Sequence, residues 1–333
     1  MPAQGVPSPA GDRATTVAIT VITYRRPELL AALLASLQAQ EFDDSWAVRL
    51  IVVDNDAERS AERVVRDSSG PLPVLYEVEP EPGIPFARQR SVLLSESEDA
   101  IVFVDDDEVA PAGWLQRLLS YWRETNADVV TGPVRGILPD DAPGWARVSD
   151  VYASVGKHRT GDRLGKAYTN NTLVSRRVLD AITPAFHPAF RFTGSSDLHF
   201  FLRVARQGFS ILWLEEAPVE EVVPAGRITM GWLARRAFRS GAGDTISRRL
   251  IDPGFRSLVL GLALGLARMA NGIMLLAVGI VRPAARIKGL RRLVSGAGTI
   301  AGLFGINHEE YKRTDASGTG AKVVPERHPD ENT

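Results

Sequence analysis

Three runs of β-branched and aliphatic residues set the frame of this chain: VAITVIT at 17–23, VRLIVV at 48–53 and IVFV at 101–104. Each ends in polar or acidic residues, and each is followed by apolar residues at helical spacing. Short continuous apolar runs of this kind are strands covered on both faces. Their alternation with helices predicts an α/β fold built on a doubly wound, mainly parallel sheet. Right-handed crossovers would carry the ends of all three strands to one edge, where open α/β sheets bind ligands. Tyr24, Asp54 and Asp105-Asp106-Asp107 follow those strands and are expected to converge on one crevice.

The aspartate triplet is the strongest chemical signal. Three adjacent carboxylates repel one another, and a divalent cation offsets that repulsion. Hard oxygen ligands at a strand end suit Mg²⁺ or Mn²⁺ carrying a phosphate. No Gly-x-Gly-x-x-Gly follows the first strand, which argues against a standard dinucleotide site. With no cysteine in the chain, thiolate metal sites and disulfides are excluded.

Between the strands the pattern predicts helices over 28–40, 61–66, 86–94 and 112–124, with further strands at 74–78 and 128–131. Pro27 suits the first turn of the first helix. The segment 139–166 is rich in Gly, Pro and Asp and reads as a loop beside the site; order returns over 170–178. A helix is expected from Asp197 to Arg206, a strand over 210–214, and a basic, aromatic helix over 230–238.

Charge is unevenly placed. The net charge of −1 for 333 residues gives no indication of nucleic-acid binding, yet residues 227–292 hold thirteen Lys and Arg against Asp244 and Asp252, a local net of +11. That bias points to a surface facing phosphate or anionic lipid. Inside it, residues 258–281 form the most apolar stretch, 24 residues that match a membrane span. Arg268 and Asn271 lie in its middle, and a central Arg costs roughly 2.5–3.5 kcal/mol to insert. Three arrangements stay open: a tilted spanning helix, a hairpin partly sunk in the interface, or a buried helix of a soluble subdomain. The flanking arginines favour membrane contact.

The ordered strings ITVITYRRPELL, IVVDND, GIPFARQR and IVFVDDDEVAP resemble family 2 glycosyltransferases of the GT-A fold, which are nucleotide-sugar-dependent and inverting. The resemblance covers about residues 17–241. It implies that Thr23, Tyr24, Arg25 and Asp54 serve the nucleotide, that Arg88 supports its pocket, and that the triplet is a DxD motif. Asp105 and Asp106 would then lie on the ribose side, with Asp105 and Asp107 on the metal, although the triplet permits two registers. TGSSDLHFFLR at 193–203 resembles the family's catalytic-base segment and makes Asp197 the base. Ser196 stands where the commoner form has Glu. Arg235 or Arg236 matches the position of a basic residue placed against the diphosphate. His199 reads equally as an acceptor-site residue or a packed helical histidine.

The expected organisation is a loose lead-in over 1–16, a GT-A catalytic domain over 17–241, a helical, basic, membrane-associated extension over 242–313, and a loose tail over 314–333. Within the catalytic domain, 17–131 would bind the nucleotide and 132–241 the acceptor. The expected reaction moves a sugar from a UDP-, GDP- or dTDP-linked donor to a saccharide or lipid-linked acceptor with Mn²⁺ or Mg²⁺, in polysaccharide or glycolipid synthesis at the cytoplasmic side of the cell membrane. Two other readings use the same fold. A sugar-phosphate nucleotidyltransferase would need a Gly-rich basic loop after the first strand, which TYRRPELL lacks. An inactive membrane scaffold has little reason to keep three adjacent acids.

Overall fold

The computed structural model describes residues 13–147 and 151–310. The expected tail at 314–333 and most of the expected lead-in lie outside the described residues. Thr15 and Thr16, placed in the lead-in by the sequence pattern, instead open the first strand.

The central strand β1 (Thr15–Thr23) pairs in parallel with β2 (Trp46–Asp54) on one side and β4 (Ala100–Asp105) on the other. Outside β2 lies β3 (Val74–Val78), also parallel. A two-residue β5 (Glu108–Val109) follows the aspartates. On the far side of β4 come β8 (Thr172–Ser175), β6 (Val129–Thr131) and β9 (Ile211–Trp213), giving the order β3-β2-β1-β4-β8-β6-β9. Within this seven-stranded sheet β8 runs antiparallel to both of its neighbours. A small second sheet joins β5, β10 (Val219–Val222) and β7 (Val134–Ile137).

Register explains the crevice. Thr23 lies opposite Asp54, and Ile22 opposite Asp105, so the three apolar runs reach the same edge together. The helices α1 (Pro27–Gln38), α2 (Glu62–Asp67), α3 (Ile84–Leu94) and α4 (Trp114–Thr125) cover the sheet. Helix α1 buries Leu30, Leu33, Leu34 and Leu37, the face read from their spacing, with Pro27 in its first turn. Short helices α5 (Gly144–Arg147) and α6 (Arg176–Ala181) precede α7 (Ser196–Arg206). Trp114 is wholly within the core, where its indole N–H donates to Asn171 Oδ1 at 2.8 Å.

Three long helices complete the chain: α8 (Met230–Ile251), α9 (Phe255–Val278) and α10 (Pro283–Leu303). Helix α8 runs a further thirteen residues past the expected end at Phe238. Its second half holds Gly241 and Gly243, which weaken helix propensity but admit neighbours at backbone contact. A Cβ on Gly241 would meet Ser295 O at 2.1 Å, and one on Gly243 would meet Ser195 Oγ at 2.1 Å. Packing overrides propensity there.

Helices α9 and α10 form an antiparallel hairpin joined through glycines. A Cβ on Gly272 would fall 2.5 Å from Leu293 N, and one on Gly296 2.7 Å from Gly265 O. Small residues at such crossings let backbones approach closely. Arg268 turns inward, donating to Thr299 Oγ1 at 2.6 Å and lying 3.6 Å from Asp244 Oδ2. The apolar side chains of α9 face outward, with Phe255 77%, Leu260 66% and Ile273 60% exposed. One of the three arrangements is thereby corrected: α9 is not a buried helix of this chain. Its only buried positions are Gly265 and Gly272, because the inner face is spent on backbone contact and one ion pair.

Candidate active site

At the end of β4 the chain turns through Asp105, Asp106 and Asp107, and each carboxylate meets an arginine. Arg88 Nη2, from the buried face of α3, lies 3.2 Å from Asp105 Oδ1. Asp106 points inward, accepting from Thr23 Oγ1 at 2.8 Å and from Arg26 Nη1 at 3.0 Å. Asp107 Oδ2 stands 3.3 Å from both Arg26 Nη1 and Arg227 Nη2. Arg227 in turn bridges to Glu221 of β10 at 2.5 Å. Below them Glu108, almost wholly buried, accepts the Asp105 backbone N–H at 2.9 Å.

Packing so many acids together raises the cost of ionising each. Burial pushes the Asp105 carboxyl up to about 6; Arg88 opposes the rise, while Asp107, Asp106 and Asp197 add to it. Burial likewise raises Asp106, with Arg26 opposing. Glu108 is raised well above the usual carboxylate range by burial and by Asp105. Among the described residues, no three His, Cys, Asp or Glu side chains surround one point. Mg²⁺ typically takes only one or two protein carboxylates and completes its shell with substrate phosphate and water. Asp105 and Asp107 fit that habit of a divalent cation; a closed protein cage is not present.

Asp197 sits in the first turn of α7, which begins at Ser196 directly after Gly194 and Ser195, both at positive φ (70° and 73°). That pair of left-handed residues turns the chain sharply into the helix. Asp197 is half-buried, and its Oδ1 accepts its neighbour Leu198 N–H at 2.8 Å. Its charge adds to the rise at Asp105, so the two acids lie within electrostatic reach of each other. Ser196 is fully buried, and His199 packs between Phe190 and His187 at ring separations of 5.3 and 5.5 Å. The packed reading of His199 therefore holds. Burial, then Arg203 and His187, depresses its imidazole to about 4.

The second strand end is arranged differently. Asp54 is fully buried and accepts from Ala61 N–H at 2.8 Å, Tyr76 O–H at 3.0 Å and Asp56 N–H at 3.1 Å. Asn55 pins the 79–83 loop, donating to the Glu79 and Glu81 carbonyls and accepting from Gly83 N–H. These residues brace the wall of the crevice. Arg25, at φ 52°, leans on Asp56 at 2.7 Å and on Glu58 at 2.9 Å, with its guanidinium 5.3 Å from the Tyr24 ring. On α8, Arg236 lies 5.0 Å from the Trp232 ring and lines a cleft of about 860 Å³ beside the site. Arg235 is exposed and does not line it.

Sequence reasoning gave no role to Arg26, Glu108, Glu221, Arg227 or Tyr168. Arg26 was legible as one of two arginines following the first strand. Glu108 and Glu221 sit on β5 and β10, strands of two and four residues that are too short for a periodic signal, and Arg227 and Tyr168 lie outside the strands.

Residues 18–183 match the family model for glycosyl transferase family 2. The chain is 36% identical over 303 residues to the succinoglycan biosynthesis protein ExoM of Rhizobium meliloti strain 1021, covering 88% of this chain and 94% of that protein. The chain belongs to glycosyltransferase family 2. The family match ends before Asp197 and the three long helices, whereas the similarity to ExoM spans most of both chains. Glycosyltransferase AglE of Haloferax volcanii is 24% identical over 231 residues, covering 68% of this chain and 72% of that one. The fold is also that of a Pyrobaculum calidifontis mannosyltransferase, PcManGT, solved with GDP-mannose and Mn²⁺. The TM-score is 0.59 at 17% identity, over 90% of both chains. GalNAc-T7, solved with UDP, GalNAc and Mn²⁺, gives 0.51 at 10% identity over 71% of this chain and 48% of that one.

Proposed function

We propose that this glycosyltransferase moves a sugar, with inversion and with a divalent cation, from a nucleotide-diphosphate donor to an acceptor hydroxyl during polysaccharide or glycolipid assembly. One observation supports the reading: Asp105 and Asp107 stand at one strand end, and Asp197, at the start of a separate helix, lies within electrostatic reach of Asp105. That division suits a reaction in which one set of acids holds the donor and another acid handles the proton. Thr23, Tyr24 and Arg25 form the donor side, with Asp54 bracing the wall behind them. Arg88 keeps Asp105 oriented, Asp106 anchors the turn through Thr23 and Arg26, and Asp105 and Asp107 offer hard oxygens to Mn²⁺ or Mg²⁺. When bound, the cation neutralises charge on the departing diphosphate.

Asp197 accepts the proton of the acceptor hydroxyl as that oxygen bonds to the anomeric carbon and the bond to the diphosphate breaks. Attack from the face opposite the leaving group inverts the anomeric centre. Arg236 supplies guanidinium donors for phosphate oxygens, and Arg235 is available only if α8 or a neighbouring surface brings it in.

The name of ExoM supports a role in polysaccharide synthesis, and the cations bound in the mannosyltransferase and GalNAc-T7 structures support Mn²⁺. The outward apolar face of α9, flanked by Arg256, Arg282 and Arg286, supports contact with the cytoplasmic face of a membrane. A thermal-shift screen of UDP-, GDP- and dTDP-linked sugars with and without Mn²⁺ tests the donor half. A donor that binds only the folded state raises the melting temperature, and here the rise should require the cation. No shift with any of them would remove the reading.

A further inference from the structure

The cleft of about 860 Å³ lies between the 151–170 loop, α8 and the α9–α10 hairpin. Seven lysine and arginine side chains line it, against the single carboxylate of Glu221. Lys166 stands on the loop wall, Arg236 on α8, and Lys288, Arg291 and Arg292 on α10. Part of its lining is aromatic: Tyr152 stacks on Trp232 at 6.1 Å and 18°. Arg236 and Arg291 lie close enough to Tyr152 to act on its hydroxyl, which donates to the Arg227 carbonyl at 3.0 Å.

Two links tie this cleft to the reacting centre. Arg227 lines it and reaches Asp107 at 3.3 Å. Tyr168 lines it while remaining partly exposed, and its phenol is pushed up to about 12 by partial burial, then by the charges of Asp197 and Asp244. On the remaining side, Asn271 and Leu275 of α9 join the lining, so the cleft opens along the helix whose outer face is apolar.

The geometry points to this cleft as the acceptor's anchor: it holds a phosphate or diphosphate carried by a lipid-linked saccharide, with the sugar end directed toward Asp197. The claim rests on the glycosyltransferase reading above. Seven cations against a single acid, a net of six positive charges, make a poor site for a neutral sugar and a good one for phosphate oxygens, which guanidinium groups bind bidentately. The aromatic part of the lining offers faces for sugar rings, and the hairpin leaves room for an apolar chain to run beside α9.

Farnesyl diphosphate and farnesol serve as probes of the full chain in neutral detergent, measured by calorimetry. Farnesyl diphosphate should bind at least tenfold tighter than farnesol. The triple variant Lys288→Gln, Arg291→Gln, Arg292→Gln should lose at least tenfold in that affinity while its nucleotide-sugar affinity changes by less than twofold. Equal binding of the two probes, or an unchanged triple variant, overturns the assignment. Vesicles of phosphatidylcholine with and without phosphatidylglycerol separate a bilayer headgroup from an acceptor phosphate. If the variant loses only its preference for anionic vesicles and keeps farnesyl diphosphate, the cations serve the bilayer and the assignment fails. Should the triple variant not fold, Lys166→Gln on the opposite wall decides, with at least a threefold loss expected and no loss overturning it. Nucleotide-sugar binding without diphosphate binding sinks the cleft alone. Diphosphate binding in a chain that binds no nucleotide sugar keeps the cleft and sinks the donor reading.

Discussion

The sheet domain and the terminal hairpin are built on opposite plans. In the sheet, Val17, Ile19, Leu50, Val102 and their neighbours are wholly buried, and the aspartate triplet gathers at a strand end. In the hairpin, glycines, Thr299 and the Arg268–Asp244 pair face inward while Leu, Ile and Phe face out. Water drives the first arrangement, since burying apolar area is its largest favourable term. The second suits a non-aqueous neighbour, where close backbone packing and satisfied polar groups hold helices together. Arg268, which looked costly in a spanning helix, incurs little penalty because its partners lie within the protein.

The same substitution should therefore have opposite outcomes in the two regions. Val102→Glu places an unpaired carboxylate in the dry sheet and should abolish folding, seen as loss of the cooperative melting transition; a folded variant would break the contrast. Next in size, Asp197→Asn should lower the turnover number by about 10²–10⁴-fold with donor affinity nearly unchanged, as measured by initial rates and donor titration. Retained turnover removes Asp197 from the proton chemistry. In the hairpin, Arg268→Leu leaves the nearly buried Asp244 with only Arg248, and should cost about 1–3 kcal/mol in denaturant unfolding. A stabilised variant would mean that the inner face of the hairpin is not organised by that pair.

A smaller effect is expected from pH. The His199 imidazole is depressed to about 4 against an ordinary value near 6.5, so the folded state binds fewer protons than the unfolded chain between those values. Its contribution is fully present above pH 6.5 and is lost as pH falls toward 4. His199→Phe should remove that slope, worth on the order of 2 kcal/mol, and equal pH dependence of the two proteins would show that His199 is not held neutral. Smallest of all, Leu260→Glu on the outer face of α9 should change stability by no more than about 0.5 kcal/mol yet weaken binding to lipid vesicles. Strong destabilisation would show that the exposed face is covered by protein instead.

Much of the sheet edge was legible because its signals are local. Apolar runs ending in Asp54 and Asp105 name both the strands and their edge, and β3 falls on residues 74–78 as the pattern predicts. Legibility stops where direction or partnership is non-local. Nothing in Thr172–Ser175 says that it pairs antiparallel to β4, and nothing near Arg227 says that it will meet Asp107, 120 positions earlier in the chain. Asp54 shows the same limit. Its place at a strand end marks it as a donor residue, but Ala61, Asp56 and Tyr76, which fold around it, turn its carboxylate into a brace.

By itself, then, the sequence determined the alternation of strands and helices, the edge where the acids emerge, the position of Asp197 at a helix start and the charge bias of the terminal region. Periodicity and residue chemistry act over a few residues, and that range suffices for each. Tertiary structure alone decided that Arg88, Arg26 and Arg227 each meet an aspartate of the triplet, that α9 turns its apolar side outward, and that α8 and α10 enclose a basic cleft against the 151–170 loop. Those outcomes depend on which surfaces meet once the chain has closed, and contacts between distant segments leave no local pattern to read.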